Sequence, residues 1–170
     1  GDPMHLWQRD GIGFEIVTDS NGNLPPIATN KRGASFNEIK WHSDYRAILR
    51  SDRHEMLGVV SKNYNLHSVA QICDAAKRVE DESGYQMKTC GSLSRGKRIF
   101  FMLETDKDVS IAGEKMNRNV LIGTSFDGKS SSFSICTDVM VVCENTLSAA
   151  LHSGANMFRL SHKSAFSKDH

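Results

Sequence analysis

Five consecutive apolar residues, Ile99-Phe100-Phe101-Met102-Leu103, constrain the fold of this chain more than any other stretch. In an extended strand successive side chains point to opposite faces, so Ile99, Phe101 and Leu103 share one face and Phe100 and Met102 the other. Both faces need cover, which predicts a strand central in its sheet. The run from Tyr85 to Leu93 reads as its partner across the turn Ser94-Arg95-Gly96. Asn119 to Phe126 and Ser132 to Cys143 form a second pair around Asp127-Gly128, a strong turn dipeptide. Upstream, Tyr45 to Arg50 and Met56 to Val60 make a third hairpin through the polar turn Ser51-Asp52-Arg53-His54-Glu55.

Helical signals separate these pairs. Ser68 and Gln71 fit a capping box, in which the Ser caps the helix start and the Gln reaches back. Val69, Ile72, Cys73, Ala76 and Val79 follow on one helical face, Lys77 and Arg78 sit toward the helix end, and Gly84 closes the segment. A final helix is expected to begin near Asn145 or Thr146, run through Leu147 to His152 and stop at Gly154. The order predicts an α+β fold, a mainly antiparallel sheet built of hairpins with helices packed on one face.

A chain of 170 residues with 39% hydrophobic and 24% charged residues has the size and balance of one folded domain. Pro3, Pro25 and Pro26 are its only prolines. Residues 1–43 therefore read as an irregular arm, with Gly1-Asp2-Pro3 before Met4 resembling the scar of a cleaved tag. Residues 44–162 read as a single compact domain, and 163–170 as a polar tail trimmed from a longer chain. There is no signal-peptide pattern and no apolar run long enough to cross a bilayer, so a cytoplasmic protein without membrane association is expected. Cys73, Cys90, Cys136 and Cys143 form no Cys-x-x-Cys pair and no zinc-like grouping with histidine. They read as small buried residues, with neither metal nor cofactor implied.

Several of these segments resemble a known family. Arg50-Ser51-Asp52, then Leu57-Gly58-Val59-Val60 and Tyr64, then Gly91-Ser92-Leu93 with Gly96, then Asp127-Gly128, then Val141-Val142-Cys143-Glu144-Asn145-Thr146-Leu147 are similar, in order, to the motifs of domain of unknown function family 932. The resemblance covers roughly Tyr45 to His162, and its most specific part is the Val141 to Leu147 block. The family pattern usually has Arg where this chain has Met140. The resemblance implies a phage- or plasmid-like protein encoded close to recombination genes. No established activity comes with it, although the polar character of the shared residues has raised the prospect of an enzyme.

The formal net charge is only +1, so a nucleic-acid partner must be argued from where the charges lie. Between Ser83 and Leu103 stand Lys88, Arg95, Lys97 and Arg98 without an acidic residue. Arg46, Arg50, Arg53 and Lys62 surround the first hairpin, beside Tyr64 as a stacking platform for an unpaired base. Glu104, Asp106, Asp108 and Glu114, with Lys107, polarise the chain in the opposite sense. The alternative for the cations is a solvated turn and sheet edge kept soluble by charge. A second set, Asp52, His67, Asp127, Asn145, Thr146 and His162, supplies polar residues that strand ends can gather into a catalytic site. Structural explanations compete with this: His67 before a helix cap, Asp127 in a turn, Asn145 and Thr146 as caps. His162 is the least explained, beyond the last clear element next to Arg159 and Lys163, where it can join the basic surface. Gly91 to Gly96 lacks the Gly-Lys-Ser/Thr and following helix of a phosphate loop, which argues against nucleotide hydrolysis.

These features predict a module that binds nucleic acid, single-stranded DNA foremost, in recombination or maintenance of a mobile element, with self-association possible. The alternatives are a metal-dependent, nuclease-like enzyme using Asp127, Asn145 and His162, or a protein-binding accessory factor of a phage.

Overall fold

A computed structural model describes the chain except residues 1, 10, 11, 31, 32, 34, 106–109, 112, 113, 116, 117, 165 and 167–170. Its main element is a five-stranded antiparallel sheet of β4 (Gln86–Leu93), β5 (Arg98–Glu104), β8 (Asn119–Ser125), β9 (Ser132–Thr137) and β10 (Ala155–Leu160), in the order β10-β9-β8-β5-β4. β5 lies between β4 and β8, and β8 is the middle strand. A three-stranded antiparallel sheet joins β1 (Pro26–Ala28), β2 (Trp41–Leu49) and β3 (Met56–Ser61). The short pair β6 (Ser110–Ile111) and β7 (Glu114–Lys115) stands apart. Asp106, Lys107 and Asp108 of the acidic loop lie outside the described residues.

The two apolar faces of β5 explain the layering. Ile99, Phe101 and Leu103 join Val120 and Ile122 of β8 beneath helix α2 (Val69–Ser83), which contributes Val69, Ile72, Cys73 and Ala76. Phe100 and Met102 join Leu121, Phe133 and Ile135 on the other face, covered by Leu147 and Ala150 of α3 (Glu144–Ser153) and by Val141. The α+β class and antiparallel hairpins are as expected, but the helices flank the sheet on both faces. A strand apolar on both sides requires this arrangement, because each face must be removed from water.

Helix α2 has the expected boundaries. Ser68 accepts from the Gln71 N–H, Gln71 caps the Ser68 N–H in return, and Gly84 ends the helix in the left-handed conformation at φ 69°. Helix α3 differs at its start: Cys143 is the N-cap, and Thr146 acts from the third helical position by accepting from the Val142 and Cys143 N–H groups. Cys143 is consequently exposed, whereas Cys73 and Cys90 are buried as expected and Cys136 partly so.

Two stretches depart from the sequence reading. The start of the chain is no arm: α1 (Pro3–Arg9) buries Leu6 and Trp7, and Phe14 and Ile16 enter the same core as α2. Trp7 packs at 5.3 Å on Phe14 and 5.7 Å on Phe101, and its indole N–H donates to the Phe14 carbonyl. Such a short segment carries too few turns for a periodic signal. At the other end, β9 stops at Thr137 instead of Cys143: the Thr137 hydroxyl accepts from the Val139 N–H in a local turn, and the Asp138 carboxylate accepts from the Arg118 N–H beside the start of β8. Among the described residues no helix is long and apolar enough to cross a membrane.

Candidate functional site

The nine candidate nucleic-acid contacts divide by what their side chains already hold. Arg50 is buried: its guanidinium donates twice to Asp52 at 3.0 and 2.8 Å and once to the Arg95 carbonyl at 2.6 Å, and lies 4.1 Å over the Phe14 ring. Arg46 is half-buried and donates to the carbonyls of His42, Ser43 and Tyr45. Arg98 pairs with Glu144 at 3.1 Å. Arg50 and Arg98 thus tie separate segments together, whereas Arg46 is held within its own strand. Arg53, Lys62, Lys88, Arg95 and Lys97 are exposed, Lys62 at 3.6 Å from Asp44 and Arg95 at 3.9 Å from Glu55.

Three open clefts lie among these groups and take in Lys62, Arg95 and Lys97; Arg53 and Lys88 line none of the three. Ser94, Arg95, Lys97, Arg98, Asp127 and Glu144 line one of about 520 Å³, where the carboxylates offset part of the positive charge. Across the β8–β9 turn, Lys129, Lys163, Ser61, Asn63, Tyr64 and His162 border a cleft of about 670 Å³. A third, of about 620 Å³, is lined by Trp41, His42, Arg46, Lys62 and Tyr64 with the loop around Asn23. Gly58 allows β3 to lie against the β8–β9 turn, since a Cβ there would stand 2.8 Å from the Phe126 carbonyl oxygen and 2.9 Å from the Asp127 Cα.

Tyr64 is not the free platform that its neighbourhood predicted. Its ring stacks on His162 at 4.6 Å and 15°, its hydroxyl donates to the Ser125 carbonyl at 3.4 Å, and burial raises its pKa. Exposed rings include Trp41, 58% accessible, and Tyr45, 47% accessible, both on β2, and Phe158 on β10, 48% accessible. None stands out by composition alone, because strand alternation does not say which face lacks cover. Lys129 escapes the sequence reading for a similar reason, as an isolated cation in a turn.

Of the polar motif residues, His67 and His162 meet. Their rings stand 4.1 Å apart, His67 fully buried and His162 nearly so. His67 Nδ1 lies 2.6 Å from Ser132 Oγ, Ser132 donates to Thr124 Oγ1 at 2.7 Å, and Thr124 Oγ1 is 3.3 Å from His162 Nε2. Backbone carbonyls close both ends: Ser164 O at 3.0 Å from His67 Nε2, and Asn65 O at 3.0 Å from His162 Nδ1. Burial lowers both pKa values. For His162 burial and then the neighbouring ring bring it to about 4, and for His67 burial outweighs the Ser164 carbonyl.

Family assignment rests on the segment that holds this network. The model of the family described as "Domain of unknown function (DUF932)" matches residues 56–170. The chain belongs to the DUF932 family. No curated protein and no solved structure matches it. The DUF932 segment contains His67, Thr124, Ser132 and His162 together, whereas Arg50 and Asp52 precede it.

The remaining motif residues of the DUF932 segment do not join the histidines. Asp127 lines the cleft on the opposite side of its turn, where burial is outweighed by hydrogen bonds from the Ser125 hydroxyl and the Lys129 N–H, so its pKa is lowered. Asn145 is exposed on the first turn of α3, and Thr146 is committed to the cap. Asp52 is held by Arg50, whose hydrogen bonds keep its carboxyl below the usual range. Met140 is exposed, so the departure from Arg places a thioether at the surface. Among the described residues no three of His, Cys, Asp and Glu converge as a metal site.

Proposed function

We propose that this DUF932 protein binds single-stranded nucleic acid, single-stranded DNA foremost, along the exposed face of the β2–β3 hairpin and into the Lys129–Lys163 cleft. The observation that carries the reading is the exposure of Trp41 and Tyr45 on β2, where Trp41 shares a cleft with Arg46 and Lys62. Tyr45 pairs in register with Ser61, and Ser61 lines both the Trp41 cleft and the Lys129 cleft, so rings and cations share one continuous surface. Unpaired bases stack on exposed rings, and phosphates pair with lysines. The partner fits a phage- or plasmid-borne protein acting in recombination or maintenance. The nuclease-like alternative has less support, because Asp127 and His162 line different clefts and Asn145 lines neither.

Fluorescence anisotropy with a labelled single strand tests the reading. Binding at low salt should weaken as salt rises, with a slope set by the phosphates neutralised, about 0.7 per contact for single strands. Lys129→Glu and Lys163→Glu should each reduce affinity further than the same reversal at Lys88, which lies on the far edge strand β4. Absence of binding at low salt would overturn the proposal.

A further inference from the structure

We propose that His67, Ser132, Thr124 and His162 form a single proton-binding site, which takes up one proton for the pair of rings and excludes a second. The site stands independently of nucleic-acid binding.

The inference follows from counting protons along the hydrogen-bonded line. Five contacts run in series: Ser164 O to His67, His67 to Ser132, Ser132 to Thr124, Thr124 to His162, and His162 to Asn65 O. Each needs one proton. The terminal carbonyls only accept and supply none. They also fix the neutral tautomers, because the nitrogen that faces a carbonyl must carry the hydrogen: Nε2 of His67 and Nδ1 of His162. Ser132 donates to Thr124 Oγ1, and Thr124 to His162 Nε2. Both hydroxyl protons are thereby used, and the 2.6 Å contact between His67 Nδ1 and Ser132 Oγ has none left.

Two neutral imidazoles and two hydroxyls bring four protons to five contacts. One added proton completes the line. If it enters at His162 Nε2, the ring donates to Thr124, Thr124 to Ser132 and Ser132 to His67; if it enters at His67 Nδ1, the hydroxyls turn the other way. The hydroxyl pair therefore relays one positive charge between the rings. The Ser130 carbonyl also favours the charged form of His162.

A second proton would place two cations 4.1 Å apart. Repulsion at that distance in a protein interior separates the two steps by on the order of three pH units. The groups around the pair do not compensate a second charge. Tyr64 stacks on His162, Lys129 and Lys163 line the same cleft, and Asp127, on the β8–β9 turn, acts on Tyr64. On the α2 side, Glu15 is engaged by the Val69 and Ala70 N–H groups, and Arg78 and Glu82 border the cavity that holds Phe166. Proton access is through His162, which borders the open cleft.

The line also bridges two segments of the fold. Tyr64 to Ser68 and Ser161 to Ser164 are joined by Asn65 N to His162 O at 2.8 Å, Asn65 Nδ2 to Lys163 O at 3.0 Å and the two terminal carbonyl contacts of the line.

Nitrogen-15 spectra of the full chain labelled at histidine, recorded from pH 8 downward, test the site, with His67→Gln and His162→Gln used to assign the two rings. The expected result is that both rings shift along one common curve, that their summed change amounts to one proton, and that the midpoint of the step lies near pH 4. Thr124→Val, which keeps the shape and removes the hydroxyl, should split the curve into two, and Thr124→Ser should restore it. Separate curves in the wild type, uptake of two protons by the folded chain, no uptake before unfolding, or a curve unchanged by Thr124→Val would each overturn the proposal.

Discussion

Glu15 caps helix α2 across fifty-four residues, its Oε1 accepting from the Val69 N–H at 2.9 Å and its Oε2 from the Ala70 N–H at 3.0 Å. Ser68 and Gln71 satisfy the next donors, so the helix start is fully paired. The carboxylate also places a negative charge at the positive end of the helix dipole. Its backbone is pinned in turn, since Glu15 N donates to Ser51 Oγ and Ser51 N to Glu15 O. Glu15→Ala should cost about 1–2 kcal/mol in urea unfolding, with Glu15→Gln intermediate. A loss below a few tenths would show that water serves the same donors equally well.

Arg50 and Arg98 look alike in sequence but hold their partners in different surroundings. Arg50 is buried against Phe14 with three hydrogen bonds, while Arg98 and Glu144 are each about one-third exposed. Removing the buried guanidinium leaves the Arg95 carbonyl and Asp52 without their donor. Arg50→Ala should destabilise by roughly 3 kcal/mol or more, and Arg98→Ala by less than about 1 kcal/mol. Thermal unfolding distinguishes them. Because Asp52 is held below its ordinary value, its contribution is present above that value of 3.8 and is lost as the pH falls through the lower folded value. Asp52→Asn should therefore flatten the acid limb of the stability curve.

The DUF932 fold was legible where a local rule decides it. The capping box of α2, the Asp127-Gly128 turn and the two-sided apolar strand Ile99 to Leu103 each follow from chemistry within a few residues. What escaped depends on distant partners. Leu6, Trp7, Phe14 and Ile16 reveal themselves as core only against α2 and β5, and β10 takes its place by pairing with β9. The site divides in the same way. His67 and His162 are prominent as polar residues, but their meeting depends on Ser132 and Thr124, two hydroxyls in strands that nothing nearby in sequence marks. Arg50 was drawn to the surface set by its charge, although a buried arginine and a solvated one read alike when the carboxylate two residues on is also plausible for a turn.

Trp41 provides an internal reporter for the proposed interface. The other tryptophan, Trp7, is buried at 1% exposure, so a quencher that acts through base stacking reaches Trp41 first. Adding a single strand should quench emission, and Trp41→Phe should abolish most of the change while retaining binding. Trp41→Ala and Tyr45→Ala should each weaken binding by about 1–3 kcal/mol, the range for losing one base–aromatic stack. Quenching that persists in Trp41→Phe would locate the contact elsewhere.

The histidine pair gives stability a pH dependence whose sign is fixed by the direction of its shifts. Both folded pKa values lie below the ordinary 6.5, so over the interval beneath 6.5 the unfolded chain binds more protons than the folded one. Stability from this pair is complete above that range and declines as the pH falls toward about 4, where His162 titrates in the folded state. His162→Gln removes one of the two titrating rings. It should lower stability at pH 7 by about 1–2 kcal/mol through lost hydrogen bonds, yet make the decline between pH 6.5 and 4 shallower than in the wild type. Denaturant unfolding at pH 8, 7, 6 and 5 measures both quantities. Parallel pH profiles for wild type and His162→Gln would mean that the buried rings do not set the acid sensitivity of the fold.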